Sequence, residues 1–193
     1  MRTKEEEIIE YFKDFTEGIR MIMLIHRGKE GGKNNQTDRF SKRKISTNKE
    51  EFENILKEFL EEKRLSKLPL RIYSSVNKRD FEKGIREFKR QQLDADYYDK
   101  ESRYKFYLDI KNRFLSSLMR PSSRKETKFL IDCDTATKKS IGDIIDEAEK
   151  ITNVILHYKT KDGYHLITEP FNPNEWNKEL GEIKKDALLL LDY

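Results

Sequence analysis

The last third of the chain switches between two hydrophobic periods in an order that few arrangements satisfy. Residues 127–133 read as a strand and 138–150 as a helix. A strand follows over 152–158, then a turn over 160–163 containing Gly163, then a strand over 164–168. Pro170, Pro173 and Asn174 lead into a short helix ending near 180, and the apolar run 186–192 closes the series as a strand. A β-α-β-β-α-β string of this length forms one four-stranded antiparallel sheet of order 4-1-3-2, with both crossovers on one face.

That order is the ferredoxin-like or RNA-recognition-like module. The 126 residues before it read as a mixed αβ unit. A helix is predicted over 4–16, with Ile8, Ile9, Phe12 and Phe15 on one face, and a buried strand over 19–26. Ser46 or Thr47 is predicted to cap a helix of about 47–64, residues 70–76 alternate like a strand, and helices are expected over 78–93 and 98–118. The expected class is therefore α+β: an N-terminal αβ unit, 1–126, packed on a C-terminal ferredoxin-like or RNA-recognition-like module, 127–193, as one compact domain.

Residues 27–44 contain Gly28, Gly31, Gly32 and seven basic residues. They look like a phosphate loop, but Lys33 is followed by Asn34, and Arg27 stands where the first glycine of that motif belongs. A basic loop is expected instead. No apolar run approaches the roughly 18 residues of a membrane span, and the acidic N-terminal start does not read as a signal peptide. The single cysteine, Cys133, excludes an intramolecular disulfide and a cysteine-cluster zinc site. The expected compartment is cytoplasmic, with no membrane partner.

The net charge of +4 conceals an asymmetry. Residues 1–128 carry 32 basic and 23 acidic groups, whereas 129–193 carry 8 and 13. A basic half joined to an acidic half suits a polyanion on one part and metal ions on the other.

Three places in the acidic half carry chemistry. Phe129-Leu130-Ile131-Asp132-Cys133-Asp134 is an apolar strand ending in two carboxylates. Alternation places Asp132 and Asp134 on one face, where they repel each other unless a cation, best Mg²⁺ or Mn²⁺, relieves them. Next, Lys159, Thr160, Lys161, Gly163 and His165 gather a hydroxyl, turn amides, two ammonium groups and an imidazole, a set suited to a triphosphate. Last, the closing strand has an acid at each end, Asp186 and Asp192.

Together these resemble the archaeo-eukaryotic primase superfamily, which includes primase small subunits, primase-polymerases and the polymerase domain of bacterial end-joining ligases. In that resemblance Asp132 and Asp134 form the first motif, Thr160 to His165 the second, and Asp186 or Asp192 the third. It implies two divalent metals, Mg or Mn, held by the three aspartates, and a histidine on the phosphates of the incoming nucleotide. It implies nucleoside triphosphates and a DNA template as partners, with a helicase or accessory primase domain, in a phage or mobile-element setting. The implied activity is template-directed nucleotidyl transfer in DNA replication or repair.

The third carboxylate has two candidates. The string LLLLDY resembles the end-joining form and points to Asp192. The 4-1-3-2 order sets the end of the first strand against the start of the fourth, which points to Asp186. Candidate template contacts are the 27–44 loop, Arg71, Lys78, Arg79 and the Arg120–Lys128 arm, with Arg79 expected at substrate. The competing expectation is a non-catalytic nucleic-acid-binding module of RNA-recognition type, which requires exposed aromatics on its central strands.

Overall fold

The computed structural model describes residues 4–26, 41–134, 140–160 and 163–191. It is a mixed α+β structure with two antiparallel four-stranded sheets. The first part contains α1 (Lys4–Phe12), β1 (Arg20–His26), β2 (Ser41–Ser46), α2 (Lys49–Leu65), β3 (Leu70–Ser75), α3 (Phe81–Tyr98), α4 (Lys100–Leu108) and α5 (Ile110–Leu118). The second contains β4 (Phe129–Asp134), α6 (Ile141–Glu149), β5 (Val154–Lys159), β6 (Gly163–Thr168), β7 (Glu182–Lys184) and β8 (Leu188–Leu190). Among the described residues, no helix is long and apolar enough to cross a membrane.

Local chemistry sets several boundaries differently from the sequence pattern. The cap of α2 is Asn48, whose side chain accepts from the Glu51 amide at 2.9 Å. Thr47 donates its amide back to the Glu51 carboxylate at 2.8 Å, so this residue supports the cap without being it. The helix expected over 98–118 is two helices. Asp99 caps α4 through the Ser102 amide, and the chain breaks again at Asp109. Strand β2 takes the last part of the expected basic loop; residues 27–40 lie outside the described residues.

The second sheet has the order β5-β6-β4-β7, which is 2-3-1-4 in the numbering of the module. The crossover before β7 is not a helix but a three-residue 3-10 turn, Pro173–Glu175. The fourth strand is also not 186–192. Residues 182–184 fill that place beside β4, and Leu188–Leu190 pairs with β3 in the first sheet, whose order is β2-β1-β3-β8. A run of four leucines suits either sheet, because both present an apolar face to the same core. The 126/127 boundary therefore does not separate the sheets.

That core joins Ile22, Leu24 and Ile72 of the first sheet to Phe12, Phe52 and Phe59 of α1 and α2, and to Leu130, Tyr158 and Ile167 of the second sheet. Each such side chain contributes about 1.5–3 kcal/mol when fully buried. Behind the first sheet, Met21 packs under Leu115 and Leu118 of α5. Behind the second, Ile131, Cys133 and Leu166 pack against Ile144 and Ala148 of α6 and against Trp176.

Segment 76–80 stitches these layers together. The Val76 amide donates to the Ala187 carbonyl at 3.0 Å. Asn77 accepts from the Lys128 amide at 2.6 Å and donates to the Lys185 carbonyl at 3.1 Å. Arg79 is fully buried. Its guanidinium donates to both carboxylate oxygens of Asp186 and to the carbonyls of Met119 and Arg120. Arg79 is thus a structural cation, not the substrate contact the sequence suggests.

Nearby, Arg20 donates to the carbonyls of Ser75, Val76 and Tyr11. The Tyr11 hydroxyl donates to the Val76 carbonyl at 3.3 Å. Burial pushes the Tyr11 phenol up to about 12, with the Arg20 charge pulling partly the other way.

Two outcomes are expected. Replacing Arg79 by Ala should cost about 3–5 kcal/mol in urea unfolding, the range for removing one partner of a buried ion pair. The second concerns alkali. A phenol whose folded value lies above its ordinary value near 10 gives stability that is complete below pH 10 and lost as pH rises towards 12. Wild type should therefore lose stability relative to Tyr11→Phe across that window, as thermal melts at stepped pH will show.

Candidate active site

Strand β4 lies between β6 and β7, and its register sets the site. Asp132 stands opposite His165 on β6 and opposite Glu182 on β7. Directly opposite residues share a face, with Cα atoms about 4.5–5.5 Å apart. Asp134, one pleat further on, pairs with Gly163, whose carbonyl accepts from the Thr160 amide at 2.8 Å. Neighbouring residues on the opposite face, Ile131 and Cys133, are buried against α6, so the alternation read from the sequence holds at Asp132. The Asp134 side chain lies outside the described residues.

A row of polar side chains crosses all four strands. Tyr158 on β5 places its hydroxyl 2.8 Å from His165 Nδ1. His165 Nε2 lies 3.0 Å from Asp132 Oδ1. Because a carboxylate only accepts, Nε2 carries the proton of that bond. Lys184 on β7 donates through Nζ to Asp132 Oδ2 and lies 3.6 Å from Glu182 Oε2. Exposure rises along the row, from Tyr158 at 1% to Glu182 at 75% of its side chain.

These contacts set the charges. The hydrogen bond from His165, helped by that from Lys184, holds the Asp132 carboxyl well below the usual carboxylate range against the opposing effect of burial. Burial would lower Lys184, but the Asp132 carboxylate outweighs it and pushes the ammonium up. Asp132 is therefore a committed anion with a cation already on it.

Gly181 makes the β7 side of the site possible. A Cβ there would lie 2.8 Å from the Asp132 carbonyl oxygen and 2.8 Å from Cys133 Sγ. Trp176 fixes the same peptide by donating from Nε1 to the Gly181 carbonyl at 2.9 Å.

The structure gathers some of the expected site residues and separates others. Asp132, His165, Thr160, Gly163 and the backbone of Asp134 meet at one end of the second sheet. Lys159 is exposed at the end of β5, while Lys161 and Asp192 lie outside the described residues. Asp186 is not brought to Asp132. Lys184 is level with Leu130, so Asp186 lies beyond it, away from Asp132 and in the grip of Arg79. Strand β7 ends at Lys184, and Asp186 follows in the turn that leads to β8.

The end of the first strand does meet the start of the fourth, but the acid placed there is Glu182. Glu182 and Lys184 are obscured in the sequence because the strand is only three residues long and follows a segment patterned as a helix. The partner of His165, Tyr158, is legible only through the alternation of His157-Tyr158-Lys159.

The cations expected to hold template also have other occupations. Lys78 donates to Asp14 at 2.8 Å, and Arg124 donates to the Lys185 carbonyl at 3.0 Å. Arg120 pairs with Glu87 and Lys128 with Glu126.

Oxygen donors on an ionised strand end suit Mg²⁺ or Mn²⁺, and the ammonium on Asp132 already stands where positive charge is wanted. Among the described residues, no three His, Cys, Asp or Glu side chains form a ready metal shell. Comparison with family models, curated proteins and solved structures finds no match.

Gly181→Ala should lower stability by about 1–3 kcal/mol, as overpacking does, because a backbone oxygen and a buried sulfur do not yield. Gly142→Ala is the control: its Cβ would have nothing nearer than Ser140 Oγ at 3.7 Å, so chemical unfolding should show no loss.

Proposed function

We propose that the chain is a template-directed nucleotidyltransferase of primase-polymerase type, acting on nucleoside triphosphates with divalent metal ions. The supporting observation is the pairing that sets His165 against Asp132, beside the Asp134–Gly163 pair, at one end of the second sheet. The resemblance to the archaeo-eukaryotic primases calls for such a neighbourhood of its first two motifs. The strand order of the second sheet is consistent with the ferredoxin-like module of that reading, with a 3-10 turn in place of its second helix.

In this reading Asp132 and Asp134 hold Mg or Mn. When bound there, such ions would supply activation of a primer 3′-hydroxyl and neutralisation of charge on the leaving pyrophosphate. Asp132 serves because it is ionised across the neutral range. His165, held by Tyr158 on its far nitrogen, keeps one carboxylate oxygen in a fixed direction. Asp186 leaves the ligand set, since its carboxylate neutralises Arg79. Glu182, opposite Asp132, takes its place in the proposal, with Asp192 as the acid that the LLLLDY string offers.

A non-catalytic module of RNA-recognition type fits less well. Such a module reads bases on the sheet face away from its helix. Here that face carries Leu130, Tyr158 and Ile167 into the core shared with the first sheet.

The test is nucleotide incorporation on a primed DNA template with Mn²⁺. Asp132→Ala should lower incorporation more than about 100-fold, beyond the range typical of residues that only support a metal ligand. His165→Ala should raise the KM for nucleotide more than it affects template binding. Full incorporation by Asp132→Ala, or none by wild type on any primed template, overturns the reading.

A further inference from the structure

Both oxygens of Asp132 are already taken, one by His165 and one by Lys184. A divalent ion that binds this carboxylate in place of an existing partner must displace one of the two, and they are held very differently. The His165 ring is fixed from both sides, by Asp132 and by Tyr158, in a side chain that is 18% exposed. Lys184 reaches Asp132 on a flexible four-carbon stem from the open side of the row, at 38% exposure, next to the more exposed Glu182. Exchange of that ammonium for another cation needs rotation of one side chain and no movement of the strands. A single ammonium also leaves charge uncompensated, since Glu182 stands on the same face directly opposite Asp132.

We propose that Lys184 is a displaceable internal cation. It neutralises Asp132 when no metal is bound, competes with the incoming divalent ion for the Oδ2 oxygen, and thereby sets how much metal the site requires. This rests on the reading of Asp132 as a metal ligand. The competition also acts before any substrate arrives, so it can be observed without catalysis.

The experiment is Mn²⁺ titration of the full chain by calorimetry, with electron paramagnetic resonance of the free ion as a second readout. Lys184→Met keeps the aliphatic stem and removes the charge. It should bind Mn²⁺ about 5-fold more tightly than wild type, the effect of deleting an exposed ion pair that competes for the site. Lys184→Arg should show no such gain. Lys185→Met removes a neighbouring charge that lies over the Phe129 ring instead of on Asp132, and it too should leave the affinity near wild type.

If wild type binds Mn²⁺ and Lys184→Met binds no more tightly, or Lys185→Met gains as much, displacement is wrong and the metal reading stands. Binding by Lys184→Met alone supports the proposal in its strongest form. Absence of Mn²⁺ binding in wild type and all the variants overturns both the proposal and the reading beneath it.

Discussion

A buried guanidinium organises this molecule. Arg79 has no access to water, and a cation so placed is tolerable only where its charge is paired; both terminal nitrogens find acceptors, while Nε has none among the described residues. Its partners come from distant parts of the chain: the carbonyls that end α5, and the Asp186 carboxylate between β7 and β8. Satisfying one side chain therefore brings the end of the helical layer and the crossing between the two sheets to one point. The backbone of 76–80 adds bonds to Ala187 in that crossing and to Ser123 and Lys125 after α5, and Arg79 exchanges backbone bonds with Ile19. Leaving Asp186 free for metal would orphan the arginine, so the same carboxylate cannot serve both uses.

The candidate site follows a different rule. Its polar row crosses a sheet whose reverse side packs Ile131, Cys133 and Leu166 against α6 and Trp176. Each member compensates the next: phenol, imidazole, carboxylate, ammonium. The buried end is fixed by hydrogen bonds between neutral or singly charged groups, and formal charge grows only as water becomes accessible. Such a gradient leaves the interior end rigid and the outer end exchangeable, which suits a place where ions and charged ligands come and go.

The sequence made the second sheet legible wherever strand periodicity ran for five or more residues. Strands β4, β5 and β6 lie where alternation puts them, and the sharing of a face by Asp132 and His165 follows from it. Legibility ended at two features. A three-residue strand carries too few positions to show a period, so Glu182-Ile183-Lys184 was invisible. The leucine run 188–191 is apolar in either sheet, and only the long-range demands of Arg79 and Asn77 decide where it turns. The same blindness affected Arg79 itself. One-dimensional charge patterning treats every arginine as a surface cation, whereas this one is paired with an acid 107 residues away.

Strand β8 has a consequence for the order in which the molecule can be assembled. It closes an edge of β3, a strand more than a hundred residues earlier, while the strand just before it belongs to the other sheet. Until residues 188–190 have been synthesised, β3 presents an open row of amides and carbonyls, the kind of edge that pairs with other chains. Loop closure over such a span is slow, and pairings this distant in sequence place a fold at the slow end of the kinetic range. The first sheet, although most of it is made early, is thus completed last, and the nascent chain depends on whatever shields that edge in the interval.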